Sequence, residues 1–533
     1  MEQPWWQTAV IYQIYPRSFQ DGNGDGIGDL EGIIERLDYL AGDSSDSLGI
    51  DAIWISPFFP SPMADFGYDV SNYRDVDPTF GDLETFDRLV DAAHRRGIRV
   101  IIDYVPNHTS DLHRWFTDSR SSRNSEKRDW YIWRDAQSDG SLPNNWGSPF
   151  GGPAWTLDPT TGQYYLHQFL PEQPELNWRN PKVERAMFDV LRFWLDRGVD
   201  GFRMDVIGMI IKDAELRDNP PNPEAPVDLP VNDIFGRQRR LHNEDQDGVH
   251  DVLRRMRLVL DEYDGICGIG ELGYSLERWV RYYGDDDELH LPFNFRLMEQ
   301  PWDAAAIRTS VEALEAALPA EAWPTYVLGT HDQPRLASRI GTAQARIAGM
   351  LLLTLRGTPT LYQGDELGME NGVVPTDRLR DPQGLRLGPA RSRDPVRTPM
   401  PWDTGPFAGF SAVEPWLPIT EDYETRNVAV QAGEPVSLLN LYRALLRYRR
   451  DTPALLSGSY ETFPAPGGCF AYVRRHESGD RLVALNFTSE PLHLDTQTMR
   501  GSIALSTHRD RGGSFVESFS LRPDEGVILE VES

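Results

Sequence analysis

Short apolar runs recur along the chain, separated by segments whose apolar positions return every three or four residues. The runs are Val10–Phe19, Asp51–Phe59, Arg99–Val105, Gly201–Val206, Ile266–Glu271, Leu289–Phe295, Thr325–Leu328 and Thr358–Tyr362. Most are continuous rather than alternating, the pattern of parallel strands covered on both faces. The intervening segments carry helix signals. Asp82 is placed to cap a helix whose apolar residues Leu83, Phe86, Leu89, Val90 and Ala93 share one face, and Gly97 ends it. Asn180-Pro181 opens another, a cap followed by proline at the first helical position. Its stripe is Val183, Met187, Val190, Leu191, Trp194 and Leu195, and Gly198 is its stop. Eight strands joined by such helices predict a (β/α)8 barrel.

Two segments break the alternation. Residues 107–174 are rich in Ser, Gly, Trp and Asp and are too long for a plain loop. They are expected to form a small domain inserted after the third strand, over the barrel mouth. Arg217–Asp247, with Asn219-Pro220-Pro221-Asn222-Pro223, follows the fourth strand and reads as a lid or rim. Beyond about residue 448 the pattern changes. Phe470–Arg474, Arg481–Phe487, Ser502–Ser506 and Gly526–Val531 alternate or run apolar, as strands of a C-terminal antiparallel β-sandwich domain would. The expected organisation is an α/β barrel over 1–106 and 175–448, the insertion over 107–174, and the β domain over 449–533. A chain of 533 residues is long enough for two or three domains.

Charge narrows the partners. A net charge of −29 argues against nucleic acid, whose phosphates want Lys and Arg. The acidity reads as a solvated surface. Cys267 and Cys469 lie far apart and form neither a metal spacing nor a disulfide framework; Cys267, inside an apolar run, reads as a buried thiol. The N-terminus lacks a basic n-region and a long apolar core, and no stretch is long and apolar enough to span a bilayer. No membrane partner is expected, and the cytoplasm is the expected location. Oligomeric state is left open.

Three carboxylates then focus the chemistry. Asp205 closes Gly201-Phe202-Arg203-Met204-Asp205, Glu271 closes Gly268-Ile269-Gly270-Glu271, and Asp332 closes Gly329-Thr330-His331-Asp332. Each ends a predicted strand, and in a barrel those C-terminal ends meet on the catalytic face. Glycosidic cleavage needs a nucleophile and a proton donor, and adjacent strands lie about 5 Å apart, close to the 5–5.5 Å separation of carboxyls in retaining glycosidases. Arg203, two residues before Asp205, points to the same interior, where a guanidinium would keep a nucleophile ionised. The plain alternative is a buried ion pair that only braces the barrel.

These residues carry a family resemblance. Asp103-Tyr104-Val105-Pro106-Asn107-His108, Gly201-Phe202-Arg203-Met204-Asp205, Gly270-Glu271 and His331-Asp332 resemble, in order, the four signature regions of the α-amylase family of glycoside hydrolases, family 13. Gln173-Pro174-Glu175-Leu176-Asn177-Trp178, Gly364-Asp365-Glu366-Leu367-Gly368-Met369 and Thr398-Pro399-Met400-Pro401-Trp402-Asp403 resemble its oligo-1,6-glucosidase and α-glucosidase branch. The resemblance implies Asp205 as nucleophile, Glu271 as general acid/base and Asp332 as the third acid, which holds sugar hydroxyls. It implies that His108 and His331 hydrogen-bond the sugar, that Asp65 and Tyr68 grip the terminal glucose, and that Arg397 pairs with Asp65 to close an exo-acting pocket. Phe150, Phe169 and Gln173 are expected to line it. The chain departs from the branch at Thr330, usually Asn, at Glu175, usually Asp, and at Pro401, usually Gln.

The run Asp21-Gly22-Asn23-Gly24-Asp25-Gly26-Ile27-Gly28-Asp29 places oxygen ligands at alternate positions, like the start of a Ca²⁺ loop, but its twelfth position is Gly32 rather than Glu. A metal-free Asp/Gly turn is the plain alternative. The matching loop of the resembling branch binds Ca²⁺ or Mg²⁺ structurally, which implies ligands Asp21, Asn23, Asp25, the Ile27 carbonyl and Asp29. No organic cofactor is expected. The reading is a retaining exo-α-glucosidase for short α-glucosides. Val206, after the nucleophile, is expected to favour α-1,6 links, since Val here tends to accompany that activity in the branch. One rival is a transglucosylase or isomerase of the sucrose isomerase or trehalose synthase type, which would share every acid. Another is a non-catalytic sugar-binding or transporter-associated relative, which would typically have lost some of them.

Overall fold

The structure, a computed structural model, describes residues 3–42, 44 and 46–532. Eight parallel strands form the central sheet: β1 (Ile11–Ile14), β2 (Ala52–Ile55), β3 (Arg99–Tyr104), β7 (Gly201–Met204), β8 (Cys267–Leu272), β9 (Leu291–Asn294), β10 (Thr325–Val327) and β11 (Thr358–Tyr362). Their order is β10-β11-β1-β2-β3-β7-β8-β9, and β9 lies alongside β10, so the sheet curls into a near-closed (β/α)8 barrel. All eight predicted runs are therefore strands of one sheet. Several are shorter than predicted, and the two longest predicted runs are cut most because proline intervenes: β1 gives way to a 3-10 turn at Pro16–Ser18, and β2 stops before Pro57.

The continuous apolar character of these strands has a direct cause, since both faces are buried. Ile11, Ala52, Trp54, Ile101, Cys267, Ile269, Leu291, Phe293 and Val327 form the barrel interior. Their neighbours Tyr12, Ile53, Val100, Ile102, Phe202 and Met204 face outward into the layer of helices. Helix Leu83–His94 is capped by Asp82, which accepts from the Thr85 amide, and helix Pro181–Leu195 by Asn180, which accepts from the Lys182 amide. Gly97 and Gly198, beyond their ends, have φ of +73° and +88°. Positive φ at a helix exit favours glycine.

Three further strands, β4 (Trp133–Arg134), β5 (Trp155–Asp158) and β6 (Gln163–Leu166), form a small antiparallel sheet between β3 and β7. The C-terminal region is antiparallel throughout. Its strands β12 (Ser459–Phe463), β13 (Cys469–Arg475), β14 (Arg481–Asn486), β15 (Leu492–Ser506), β16 (Ser514–Leu521) and β17 (Gly526–Val531) share one sheet in the order β12-β13-β14-β17-β15-β16. Alternation divides its two faces. Ala471, Val473, Leu482, Ala484, Val527 and Leu529 enclose a core of their own, while Phe470, Tyr472, Val483, Leu485 and Ile528 join the main core. Cys267 and Cys469 are both buried free thiols, and burial pushes Cys469 up to about 12. Among the described residues no helix is long and apolar enough to cross a membrane.

Candidate active site

The sheet register assembles the acids. Asp103 on β3 is the register partner of Arg203 on β7, and Arg203 is that of Ile269 on β8, two residues before Glu271. Arg203 is consequently flanked by carboxylates. One terminal nitrogen bonds Asp103 Oδ1 at 2.7 Å and Asp205 Oδ1 at 2.8 Å, and the other reaches Glu271 Oε2 at 2.6 Å. The Trp54 ring lies against the guanidinium at 5.0 Å, and its indole N–H donates to Asp103 Oδ2 at 3.0 Å. Burial raises Asp205 well above the usual carboxylate range; Arg203 opposes this, while Glu271 and Asp103 add to it. Asp103 is pushed up to about 6, again first by burial. A single guanidinium faces three carboxylates, so repulsion among them opposes the ionisation of Asp205 and Asp103.

Val206 follows with φ +38° and ψ 41°. A β-branched residue in the left-handed region is uncommon. The conformation turns its amide toward Glu271, to which it donates at 3.0 Å.

Asp332, after β10, accepts from Arg397 at 2.8 Å and from Arg393 at 3.2 Å. Burial disfavours its charge, but the His331 ring and both guanidiniums more than offset this and hold the carboxyl below the usual range. Burial also pushes His331 down to about 3, so the ring is neutral near pH 7 and the arginines supply the positive charge. The Gln13 amide sits 2.7 Å from His331 Nδ1, which leaves Nε2 to carry the proton toward Asp332 at 3.2 Å and the Tyr68 hydroxyl at 2.9 Å. Tyr68 in turn donates to Asp103 Oδ2 at 3.3 Å.

A second cluster joins this wall. Gln173 donates to Asp65 Oδ2 at 3.2 Å and lies 3.0 Å from His108 Nε2. His108 packs on Phe169 with ring centres 5.1 Å apart, and Phe169 lies 5.8 Å from Phe150. Burial pushes His108 down to about 3, helped by the nearby Lys212 ammonium. One expected pairing is corrected here: Asp65 bonds Arg393 at 2.7 Å, not Arg397. Arg397 lies one helical turn further on, where its guanidinium is taken by Asp332 and the His331 carbonyl. Arg393 also bonds Asp381 at 2.7 Å and faces the Phe150 ring at 5.1 Å.

A cavity of about 250 Å³ opens beside the acids, with Arg203, Val206, Glu271, His331 and Asp332 in its walls. Asp65, Tyr68, His108, Phe150, Phe169, Gln173 and Arg397 are not part of that lining. Tyr68 and Arg397 join it through His331 and Asp332, and the rest form the Asp65–Gln173–His108 cluster with its two phenylalanines. The predicted rim contributes Phe235, Arg240 and Glu244 to the cavity. Asp103, Arg393 and Asp381 belong to the site and were not singled out as site residues from the sequence. The departures from the branch pattern are accommodated. Glu175 is buried against the Lys212 ammonium and accepts from the Gln168 amide at 2.7 Å. Thr330 Oγ1 accepts from the Asp332 amide at 3.2 Å, and the Pro401 carbonyl accepts from the Val428 amide at 3.1 Å.

The Asp21–Asp29 loop lies apart from this cluster. Asp21 accepts from the Gly24 and Gly26 amides at 2.6 and 2.9 Å, and Asp25 from the Ile27 amide at 2.8 Å. Asn23 accepts from the Asp25 amide at 2.9 Å, and Asp29 caps helix Leu30–Leu40 through the Gly32 amide. Burial pushes Asp29 up to about 6. Among the described residues no three Asp, Glu, His or Cys side chains converge as ligands. The donors are nevertheless all oxygens, the set that hard cations take, and a cation would relieve the buried Asp29 charge.

Residues 13–458 match the family described as "Alpha amylase, catalytic domain". The chain is 46% identical to a probable alpha-glucosidase of Rhizobium meliloti (strain 1021), over 92% of this chain and 90% of that protein. It is 38% identical to an oligo-1,6-glucosidase of Heyndrickxia coagulans, over 99% of each. Among solved structures it resembles the alpha-glucosyl transfer enzyme XgtA, with a TM-score of 0.93 and 43% identity over the whole of both chains. It also resembles the trehalulose synthase MutB of Pseudomonas mesoacidophila MX-45, with a TM-score of 0.90 and 36% identity, again over both whole chains. The chain belongs to the α-amylase family of glycoside hydrolases and is an α-glucosidase-like enzyme of that family.

Proposed function

We propose that the protein is a retaining, exo-acting α-glucosidase that removes the non-reducing terminal glucose from short α-glucosides. The observation that carries the reading is the Arg203 guanidinium, which grips Asp205 and Glu271 together at the ends of adjacent strands. Two carboxyls bridged by one guanidinium suit the close pairing of retaining enzymes, about 5–5.5 Å, better than the wider one of about 6.5–9.5 Å that leaves room for a water. Asp205 attacks C1 while Glu271 protonates the departing oxygen, giving a glucosyl ester on Asp205. Glu271 then takes a proton from water, which attacks C1 and releases α-glucose. Asp332, held ionised by Arg393 and Arg397, serves the sugar hydroxyls, with His331 and His108 as neutral partners. Asp65, Tyr68, Phe150, Phe169, Gln173 and Arg393 form the wall behind one glucose, which supports exo action. The test is proton NMR of the first product formed: α-glucose supports the mechanism, and β-glucose rejects it.

Glucosyl transfer is a second reading, favoured by the likeness to XgtA. It uses the same ester and replaces water with a sugar hydroxyl. Product analysis on sucrose and maltose separates the two, because isomerised or lengthened sugars as the main products would displace hydrolysis. We also propose that α-1,6 links are preferred, supported by Val206 at the cavity wall, and that the Asp21–Asp29 loop holds a structural Ca²⁺ or Mg²⁺, supported by its oxygen donors. The cation would bind Asp21, Asn23, Asp25, the Ile27 carbonyl and Asp29, and its contribution is to stability.

A further inference from the structure

The cavity extends beyond the acids toward a segment with no role assigned so far, residues 240–245 of the rim. Asn243 is buried, donates to Gln168 Oε1 and accepts from Asn219 Nδ2 at 2.9 Å. Asp245, at φ +49°, donates its amide to the Gly208 carbonyl at 2.8 Å. Its carboxylate is held by the Tyr282 hydroxyl at 2.6 Å and by Arg278. The chain is thus pinned on both sides of Glu244, and one of those pins is a strained residue. Strain of this kind persists only where the surroundings over-determine it.

What the pinned segment presents is a charged pair in the cavity wall. Glu244 is only 6% exposed yet lines the same cavity as Glu271 and Asp332. Its Oε1 accepts from Arg240 Nε at 2.8 Å, and its Oε2 has no hydrogen-bond partner among the described residues. The Arg240 guanidinium packs over Phe235 at 4.5 Å, which fixes its plane. Glu244 therefore offers an acceptor oxygen and Arg240 offers N–H donors, side by side. An oxygen that faces the cavity and takes no protein donor is free to accept from a hydroxyl bound there. Neighbouring hydroxyls of a pyranose suit this pair, one donating to the carboxylate and the next accepting from the guanidinium. Met209, Tyr274 and Phe295 line the same cavity and offer an apolar surface to the ring.

We propose that Glu244 and Arg240 bind the leaving-group sugar through its hydroxyls and, by microscopic reversibility, the acceptor sugar when glucose is transferred instead. The proposal rests on the α-glucosyl chemistry above. It makes the pair a specificity device for polyhydroxylated leaving groups, without a part in the proton transfers.

The test compares Glu244→Gln with wild type on two donors. One is whichever of isomaltose and maltose the wild type cleaves faster. The other is α-glucosyl fluoride, whose leaving group is too small to reach residue 244. On the disaccharide, kcat/KM is expected to fall about 10- to 100-fold, mainly through KM, the scale of one hydrogen bond to a charged group. On the fluoride it is expected to stay within about two-fold, and the share of glucose transferred to added sugar should drop. Arg240→Met should show the same split. Equal losses on both donors would assign Glu244 to chemistry or folding, and no loss on either would leave the pair without a substrate; each overturns the proposal. If the amide unsettles the segment, Glu244→Asp keeps the charge and withdraws it, and the absence of the split in that variant is equally decisive. A wild type inactive on both donors would instead reject the proposed function.

Discussion

Substitution of Val206 by alanine tests how the site selects a linkage. The side chain stands in the cavity wall beside Glu271, on a backbone with φ +38° and ψ 41°. Its amide is tied to Glu271 Oε2 at 3.0 Å, so the isopropyl group cannot swing away without disturbing that carboxylate. An α-1,4 link holds the second ring close to C1, whereas an α-1,6 link has an extra rotatable CH₂ and lets that ring move aside. Val is stiff at χ1 and fills the space the rigid ring would need. Removing two carbons at about 0.8 kcal/mol each gives roughly 1.6 kcal/mol, within the range of about 1–3 kcal/mol that a methylene-scale contact contributes to specificity. The kcat/KM ratio of isomaltose to maltose should therefore shift toward maltose by about tenfold. Alanine keeps the Cβ and the amide, so kcat on α-glucosyl fluoride should be unchanged. The assay is initial-rate glucose release from each disaccharide. A wild type that already prefers maltose strongly, or a ratio that does not move, removes Val206 as the selector and points to the rim, residues 217–247. A parallel loss on all three substrates would mean that Glu271 has been displaced, not that space has been opened.

Asp205→Asn should lose nearly all turnover while still binding substrate, and a rate near wild type would remove Asp205 from the nucleophile's role. Chelation should lower the melting temperature if the loop at residues 21–29 holds metal. The loss is about 2.7 kcal/mol where metal had stood at 100 times its Kd, and an unchanged melting temperature with no metal by elemental analysis would remove the site. Asp365 gives a pH prediction. Its fully buried carboxyl is pushed up to about 7, mainly by burial, against about 3.9 unfolded. A raised carboxyl pKa means that the folded state favours the protonated form, so this contribution is complete below about pH 4 and is lost as pH rises through about 7. Asp365→Asn, which cannot ionise, should match wild type near pH 4 and gain relative stability toward pH 8. Melting curves across that range check it, and a gap that stays constant or narrows as pH rises would contradict the burial argument.

Much of this architecture was legible because local pattern and global fold agree. The barrel strands read as unbroken apolar runs since both faces are covered, and Asp82 and Asn180 announce their helices through short-range hydrogen bonds. The three candidate acids read through because each lies at or just beyond the C-terminal end of a barrel strand. Strands β12 and β16 did not: their burial patterns keep several residues exposed or half-buried, so no apolar run marks them.

What stayed hidden depends on contacts between distant segments. Nothing near Asp65 marks Arg393 as its partner, 328 residues away. The one local signal was the spacing of Arg393 and Arg397, four residues apart around a 3-10 turn, which sends two guanidiniums to the same wall. That spacing cannot decide which arginine meets which acid. The decision comes from Asp381, whose carboxylate holds Arg393 at 2.7 Å and leaves Arg397 to bond the His331 carbonyl at 2.9 Å. Val206 is hidden for the opposite reason. Its propensity argues against a left-handed backbone, and only the acid that its amide must reach overrides that preference. Local rules and structure thus part company beside Glu271, where a strained backbone holds an amide against a carboxylate of the candidate site.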